Sequence, residues 1–176
     1  MKGFIFCLAM FFAVTASAFE VPVKHRVPNR SPGYCTWAAL ETLGRCHNIK
    51  NLFNLVESRT KDEDVTVDGE VKARNFGYDW AVKAKLDALK VKYSIQYSGG
   101  KNRDLLKYAN EHGCVVSFKA EGLKLKTDHS VLLTRYDDKV IEYYDSNHPK
   151  HIYKGNREWF DLYWNGDIIV VFENTK

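Results

Sequence analysis

The chain has 176 residues, 45% of them hydrophobic and 14% aromatic, with four Trp, ten Tyr and ten Phe. That apolar content offsets the entropy of ordering one domain with its own core, which excludes a disordered chain and a coiled coil. Lys and Arg total 26 against 22 Asp and Glu, a net charge of +4, too mild an excess for the dense basic stripe of a nucleic-acid domain, so no nucleic-acid partner is expected.

Residues 1–18 read as a secretory signal. Lys2 precedes an apolar run from Phe4 to Val14, and Ala16-Ser17-Ala18 has the small-x-small pattern that a signal peptidase cuts after. The alternative is a membrane anchor, but a bilayer needs roughly 20 apolar residues and no stretch of this chain approaches that length. The expectation is a secreted or periplasmic protein, without stable membrane insertion after cleavage, whose mature domain covers residues 19–176. Cleavage removes Cys7 and leaves Cys35, Cys46 and Cys114 in an oxidising compartment. The economical pairing joins Cys46 to Cys114 and leaves Cys35 free; three reduced buried thiols or another pairing are the alternatives.

From Phe19 to Gly33 the chain reads as extended, with Pro22, Pro28 and Pro32 and a turn at Ser31-Pro32-Gly33. Ala39, Leu40 and Leu43 share one face of a helix over Cys35 to Leu43, with Gly44 as its C-terminal stop. Leu52, Leu55 and Val56 suggest a second short helix, and the polar stretch from Ser58 to Asn75 reads as a long surface loop flanking a cleft. Val82, Leu86 and Leu89, capped by Asp79, mark a third helix; Leu105, Leu106 and Ala109, after Asn102, mark a fourth.

Strands dominate the remainder. Residues 91–97 alternate apolar and polar with period two, and 114–119, 129–136, 140–145 and 167–173 are rich in Val, Ile, Phe and Tyr, with Asp137-Asp138 as a hairpin turn. Helices in the first half and strands in the second give the α+β class, with N-terminal helices packed on a C-terminal antiparallel sheet.

The sharpest chemical signal is a cysteine opening a helix, a distant histidine opening a strand, and a carboxylate one hairpin later. A thiol at a helix N-terminus faces unpaired N–H groups and the positive end of the dipole, which lower its pKa. Cys35 meets that condition; a buried core cysteine beside Trp37 is the plainer reading. His129 stands at the mouth of Ser130-Val131-Leu132-Leu133. A three-residue loop at Tyr136 to Asp138 places Asp145 opposite it, where the carboxylate accepts the Nδ1 proton and leaves Nε2 to face the thiol. A small register change substitutes Asn147. An ordinary strand-end histidine and a turn-forming aspartate are the competing readings.

These residues resemble the papain-like cysteine peptidases, and most closely the C39 and C39-like branch. The resemblance lies in Gly33-Tyr34-Cys35-Thr36-Trp37-Ala38-Ala39-Leu40, in Asp128-His129-Ser130-Val131-Leu132-Leu133 and in Tyr144-Asp145-Ser146-Asn147-His148-Pro149, in that order. It implies a papain-like fold with Cys35, His129 and Asp145 as the catalytic triad. Two positions depart from the family pattern. Thr36 stands where the family usually has Gly, and the usual upstream Gln is missing. Asn29, six residues before Cys35, carries the same carboxamide on a shorter stem and is the candidate oxyanion donor beside the Cys35 N–H, or else a turn residue beside Pro28. Losing a side-chain donor slows acyl transfer by about two orders of magnitude.

The reading is therefore an exported, monomeric cysteine peptidase that hydrolyses peptide or other amide bonds and needs no cofactor. A cell-wall amidase or transglutaminase-like acyltransferase using the same site is one alternative, and a catalytically inert secreted binding module is another. Transporter-fused members of the family cleave Gly-Gly leaders; with no transporter segment here, that substrate is not carried over. His148 and His151 have a His-x-x-His spacing, but the intervening proline and the lack of a supporting helix or cysteine pair argue against a metal. The aromatic group Tyr153, Trp159, Phe160, Tyr163 and Trp164 reads as core or domain edge.

Overall fold

A computed structural model describes residues 18–30, 33–58, 65–67, 70–73, 79–97 and 103–172. The expected signal segment lies outside these except for Ala18, as do Asn102 and the Ser31-Pro32 half of the expected turn.

Gly33 adopts φ +84°, a left-handed conformation that costs glycine little. It leads into helix α1 (Cys35–Cys46), in which every residue from Cys35 to Gly44 is buried. A helix buried on all sides needs cover on the face turned away from the sheet. The N-terminal segment helps to supply it: the Val27 N–H donates to Thr42 Oγ1 at 3.0 Å, and the Tyr144 hydroxyl donates to the Val27 carbonyl at 2.8 Å. Glu41 is buried too, and is held by Arg45 Nε at 3.1 Å and by the Val56 N–H at 3.0 Å.

Gly44 does not stop α1, which runs on to Cys46. It sits where a short 3-10 turn, Lys50–Leu52, crosses the helix, and an added Cβ would overlap the Cβ of Leu52. The expected second helix is thus this single turn, which delivers Leu52 and Leu55 into the core. Part of the expected long loop is a hairpin of β1 (Val65–Val67) and β2 (Glu70–Ala73). Helix α2 (Asp79–Ala88) starts at the expected cap residue and brings Val82 and Leu86 to the core.

The main sheet has six strands: β3 (Lys92–Gln96), β4 (Cys114–Phe118), β5 (His129–Tyr136), β6 (Ile141–Tyr144), β7 (Ile152–Gly155) and β8 (Trp164–Phe172). Their order is β3-β8-β4-β5-β6-β7, and every neighbouring pair is antiparallel. The expected α+β architecture is therefore present. Side chains alternate across a strand, and the two faces carry separate cores. Val115, Leu132, Tyr144 and Ile169 pack with Trp37, Leu40, Leu43 and Leu86 on the α1 side. Cys114, Val116, Leu133, Tyr143 and Ile168 pack on the other side with Leu106 and Phe160. That second layer comes from a 3-10 turn (Asp104–Tyr108) with α3 (Ala109–His112), from α4 (Ala120–Leu123) and from α5 (Arg157–Tyr163). Here Phe160 and Trp164 are core residues, and Trp159 stacks on Tyr143.

This two-faced arrangement overturns the Cys46–Cys114 pairing. Strand parity turns Cys114 into the second core, whereas Cys46 packs against the first; all three described cysteines are free thiols. Burial pushes the Cys46 thiol up to about 11 and raises Cys114 further.

Helical glycine usually gains about 1 kcal/mol on replacement by Ala. Gly44→Ala is expected to reverse that sign and lose about 1–3 kcal/mol in urea unfolding, because Leu52 Cβ has no rotamer by which to retreat; a stabilised variant would contradict this packing.

Candidate active site

The site forms where the first turn of α1 meets the mouths of β5 and β6. Cys35, His129 and Asp145 are 8%, 5% and 6% exposed, so all three are nearly withdrawn from bulk water. His129 Nε2 lies 2.7 Å from Asp145 Oδ1, and the ring and the Cys35 thiol act on each other electrostatically.

With Nε2 committed to the carboxylate, Nδ1 is the nitrogen left for the sulfur, the reverse of the sequence expectation. Register explains the reversal. The loop from β5 to β6 has four residues, 137–140, stabilised by Asp137 Oδ1 accepting the Lys139 and Val140 N–H groups at 2.8 and 2.7 Å. The loop also lies further along the chain than expected, and an irregularity between Leu133 and Arg135 takes back one residue of the resulting shift, so that Leu132 pairs with Tyr144. Extending that register sets position 129 across from 147 and leaves Asp145 on a diagonal, where the far end of the ring, Nε2, reaches it.

Each ionisable group is shifted by the others. Burial pushes the Cys35 thiol up, but the hydrogen bond and charge of His129, with main-chain and side-chain hydrogen bonds from Ser130, outweigh burial and leave it below its ordinary value. Burial likewise pushes His129 down, and Asp145 and Cys35 more than reverse this, raising it to about 9. Asp145 stays below the ordinary carboxylate value despite burial, through His129, the Asn147 N–H and the charge of His148. The arrangement favours thiolate, imidazolium and carboxylate in a row, with the helix N-terminus beside the sulfur.

Asn29 enters on the far side of the carboxylate loop. Its N–H donates to the Ser146 carbonyl at 2.8 Å, and its carboxamide Nδ2 donates to Asn147 Oδ1 at 2.9 Å. Asn147 in turn donates its N–H to Asp145 Oδ1 at 2.8 Å and sets its own carboxamide 3.4 Å from His129 Nε2. Both candidates for orienting the ring therefore reach it, and Asp145 makes the shorter contact. Arg26 adds a bond to the Pro149 carbonyl, which ties the N-terminal segment to the same loop.

Sequence reasoning missed Ser130 and Ser117 and treated Thr36 only as a departure. Thr36 Oγ1 and Ser117 Oγ lie 2.8 and 3.0 Å from Ser130 Oγ, directly beneath the sulfur's helix. Strand parity was the signal available: Ser117 and Ser130 pair across β4 and β5 on the α1 face. The rings of His148 and His151 pack against Tyr153, and the described residues contain no cluster of three metal-ligating side chains. Among the described residues, no helix is long and apolar enough to cross a membrane.

No family model matches the sequence, and no curated protein matches it. Solved structures do. A double glycine motif protease from an AMS/PCAT transporter, determined in complex with the leader peptide, aligns with a TM-score of 0.57 at 17% identity over 90% of this chain and 95% of that one. The peptidase domain of Streptococcus mutans ComA, in complex with a small-molecule inhibitor, aligns with a TM-score of 0.50 at 13% identity over 84% of this chain and 98% of that one. The chain therefore shares the fold of C39 peptidase domains.

Depressed thiol acidity has a direct readout. Iodoacetamide at pH 6.5 is expected to label Cys35 ahead of Cys46 and Cys114, since thiolate persists down to the lowered pKa of Cys35 and protonates only below it. His129→Ala should slow that labelling by about ten-fold or more, one pKa unit being a ten-fold change in thiolate; equal labelling in the variant would remove His129 as the cause.

Proposed function

We propose that the chain is an exported cysteine peptidase that hydrolyses peptide or other amide bonds through Cys35, His129 and Asp145, with residues 19–176 as its catalytic domain. The observation that carries this reading is the buried His129–Asp145 pair, 2.7 Å apart, set against a thiol at the start of α1. Two neighbours of the same fold are peptidase domains, one of them bound to a leader peptide, which favours a peptide substrate. Export rests on the composition of residues 1–18.

In this mechanism the Cys35 thiolate attacks the amide carbonyl carbon and the π electrons move onto oxygen. The Cys35 N–H and the Asn29 carboxamide receive that oxyanion. His129 then passes its Nδ1 proton to the leaving nitrogen, the C–N bond breaks, and a thioester remains on Cys35. Neutral Nδ1 next takes a proton from water, whose oxygen attacks the thioester, so a carboxylic acid leaves and the thiolate–imidazolium pair is restored. Asp145 holds Nε2–H throughout and keeps the ring aimed.

Substrate turnover is expected to require Cys35, so Cys35→Ala abolishes it. Acylation needs both thiolate and imidazolium: activity rises as pH climbs through the lowered pKa of Cys35 and falls again near pH 9 as His129 loses its proton. Asp145→Asn keeps the shape but removes the charge, and should cut kcat by about 10²-fold or more and bring the alkaline limb down toward 6.5. A product assay on an internally quenched peptide library with added amine measures this, and residual turnover by Cys35→Ala would refute the reading.

A further inference from the structure

We propose that Thr36 and Ser130, with Ser117 behind them, form a latch that sets the spacing of Cys35 from His129: the residue after the nucleophile is hydrogen-bonded to the residue after the imidazole. The proposal deepens the peptidase reading and rests on it.

The latch follows from strand geometry. Leu132 and Val115 face α1; two residues along each strand the same face carries Ser130 and Ser117, which are paired directly across the ladder of β5 and β4. Thr36 comes down onto them from the first turn of α1. Its Oγ1 lies 2.8 Å from Ser130 Oγ, and Ser117 Oγ lies 3.0 Å from the same oxygen. A hydroxyl has one hydrogen and two lone pairs, so Ser130 serves both neighbours whichever way the hydrogens point. Thr36 and Ser130 are 4% and 6% exposed, so bulk water does not compete for the bond between them.

What the latch adds is direction. Trp37, Leu40 and Leu43 hold α1 on the sheet through apolar contact, which resists separation of the layers but has no preferred angle and tolerates sliding. A hydrogen bond weakens steeply once its distance and angle leave a narrow optimum, so this one fixes where the end of α1 stands along β5. Neither arm gives easily. Thr36 is β-branched and stiff at χ1, and Ser117 restrains the rotamer of Ser130. Cys35 and His129 each stand one residue from the bond, in a helix and a strand whose backbones are already set, so the spacing of the bond passes to them. Glycine, usual at position 36 in the resembling family, has no side chain to make it. The precision matters because a displacement of about 1 Å between reacting groups can cost about 10²-fold in rate.

Thr36, Ser130 and Ser117 act through Cys35 and His129 and are positioning residues. All three are uncharged, so replacing them leaves the charges of Cys35, His129 and Asp145 in place, and a changed site then reports changed spacing.

The test compares Thr36→Val, which keeps the shape and loses the hydroxyl, with Thr36→Ser, which keeps the hydroxyl. Two quantities are measured on the full chain: turnover of an internally quenched peptide per Cys35 that iodoacetamide titrates, and the pH midpoint of iodoacetamide labelling at Cys35, which needs no substrate. Thr36→Val is expected to lower kcat about ten-fold with KM changed by less than about two-fold, and to raise the labelling midpoint toward the ordinary thiol value as His129 loses its hold. Thr36→Ser should restore both. A merely structural role would lower the unfolding midpoint and the number of titratable sites while each remaining site turns over at the wild-type rate, and that result overturns the proposal. Ser130→Ala should lose at least as much as Thr36→Val, and the double variant no more than Ser130→Ala alone, because one bond accounts for both; additive losses overturn the proposal. Should Ser130→Ala fail to fold by circular dichroism, the Thr36 pair decides. Wild-type kcat and midpoint in Thr36→Val overturn the latch and leave the peptidase reading standing, whereas a wild-type chain that labels at the ordinary thiol midpoint and turns over no peptide overturns both.

Discussion

Three ionisable groups lie in a row under almost complete cover, and each is tolerable there only because of its neighbour. An isolated buried charge is costly enough that the group ordinarily neutralises. Here the Cys35 sulfur, the His129 ring and the Asp145 carboxylate invert that outcome, since each charged form lowers the cost of the next. Removing one partner of such a set leaves an uncompensated charge, a loss of about 3–5 kcal/mol. The fold is therefore constrained to bring the start of α1 and the ends of β5 and β6 to one point.

The scaffold meets this constraint with structure that lies far from the site in sequence. β5 is flanked by β4 and β6 and carries side chains into both cores, so the mouth of β5 cannot shift without disturbing both layers. α1 is held on the sheet by Leu40 and Leu43 and pinned from behind by Glu41, Thr42 and the residues that bond them. The loop that bears Asp145 and Asn147 is tied down by the N-terminal segment through Arg26 and Asn29. This segment joins the back of α1 to the carboxylate loop, which explains why an extended, proline-rich stretch is ordered at all.

Much of this was readable in advance. Helix α1 shows Ala39, Leu40 and Leu43 on one face and strand β5 a continuous apolar run, and the cysteine, histidine and carboxylate come together in the fold. What failed did so for identifiable reasons. The Cys46–Cys114 pairing treated two cysteines as available without asking which sheet face each would occupy. The ring nitrogens were exchanged because a loop one residue longer and further along the chain, only partly offset by an irregularity at Thr134, moved Asp145 off the direct partner position, and no propensity encodes that. The pairing of β1 with β2 hid in a charged stretch, although the sequence there contains Asp-Gly, a strong hairpin dipeptide. β7 and α5 were too short, and too dominated by aromatic residues, for either period to stand out. Gly44 looked like a helix stop because sequence shows the absence of a side chain but not the Leu52 that requires it.

The thiolate–imidazolium pair is the premise from which site chemistry and pH behaviour both follow. Nitrogen-15 NMR of His129 measures it directly, since the two ring nitrogens report their protons separately. The account predicts a ring protonated at both nitrogens at pH 7, losing its proton only near 9, and dropping toward ordinary imidazole behaviour when Cys35 is replaced by Ala. A neutral His129 at pH 7, or a titration indifferent to Cys35, would contradict it.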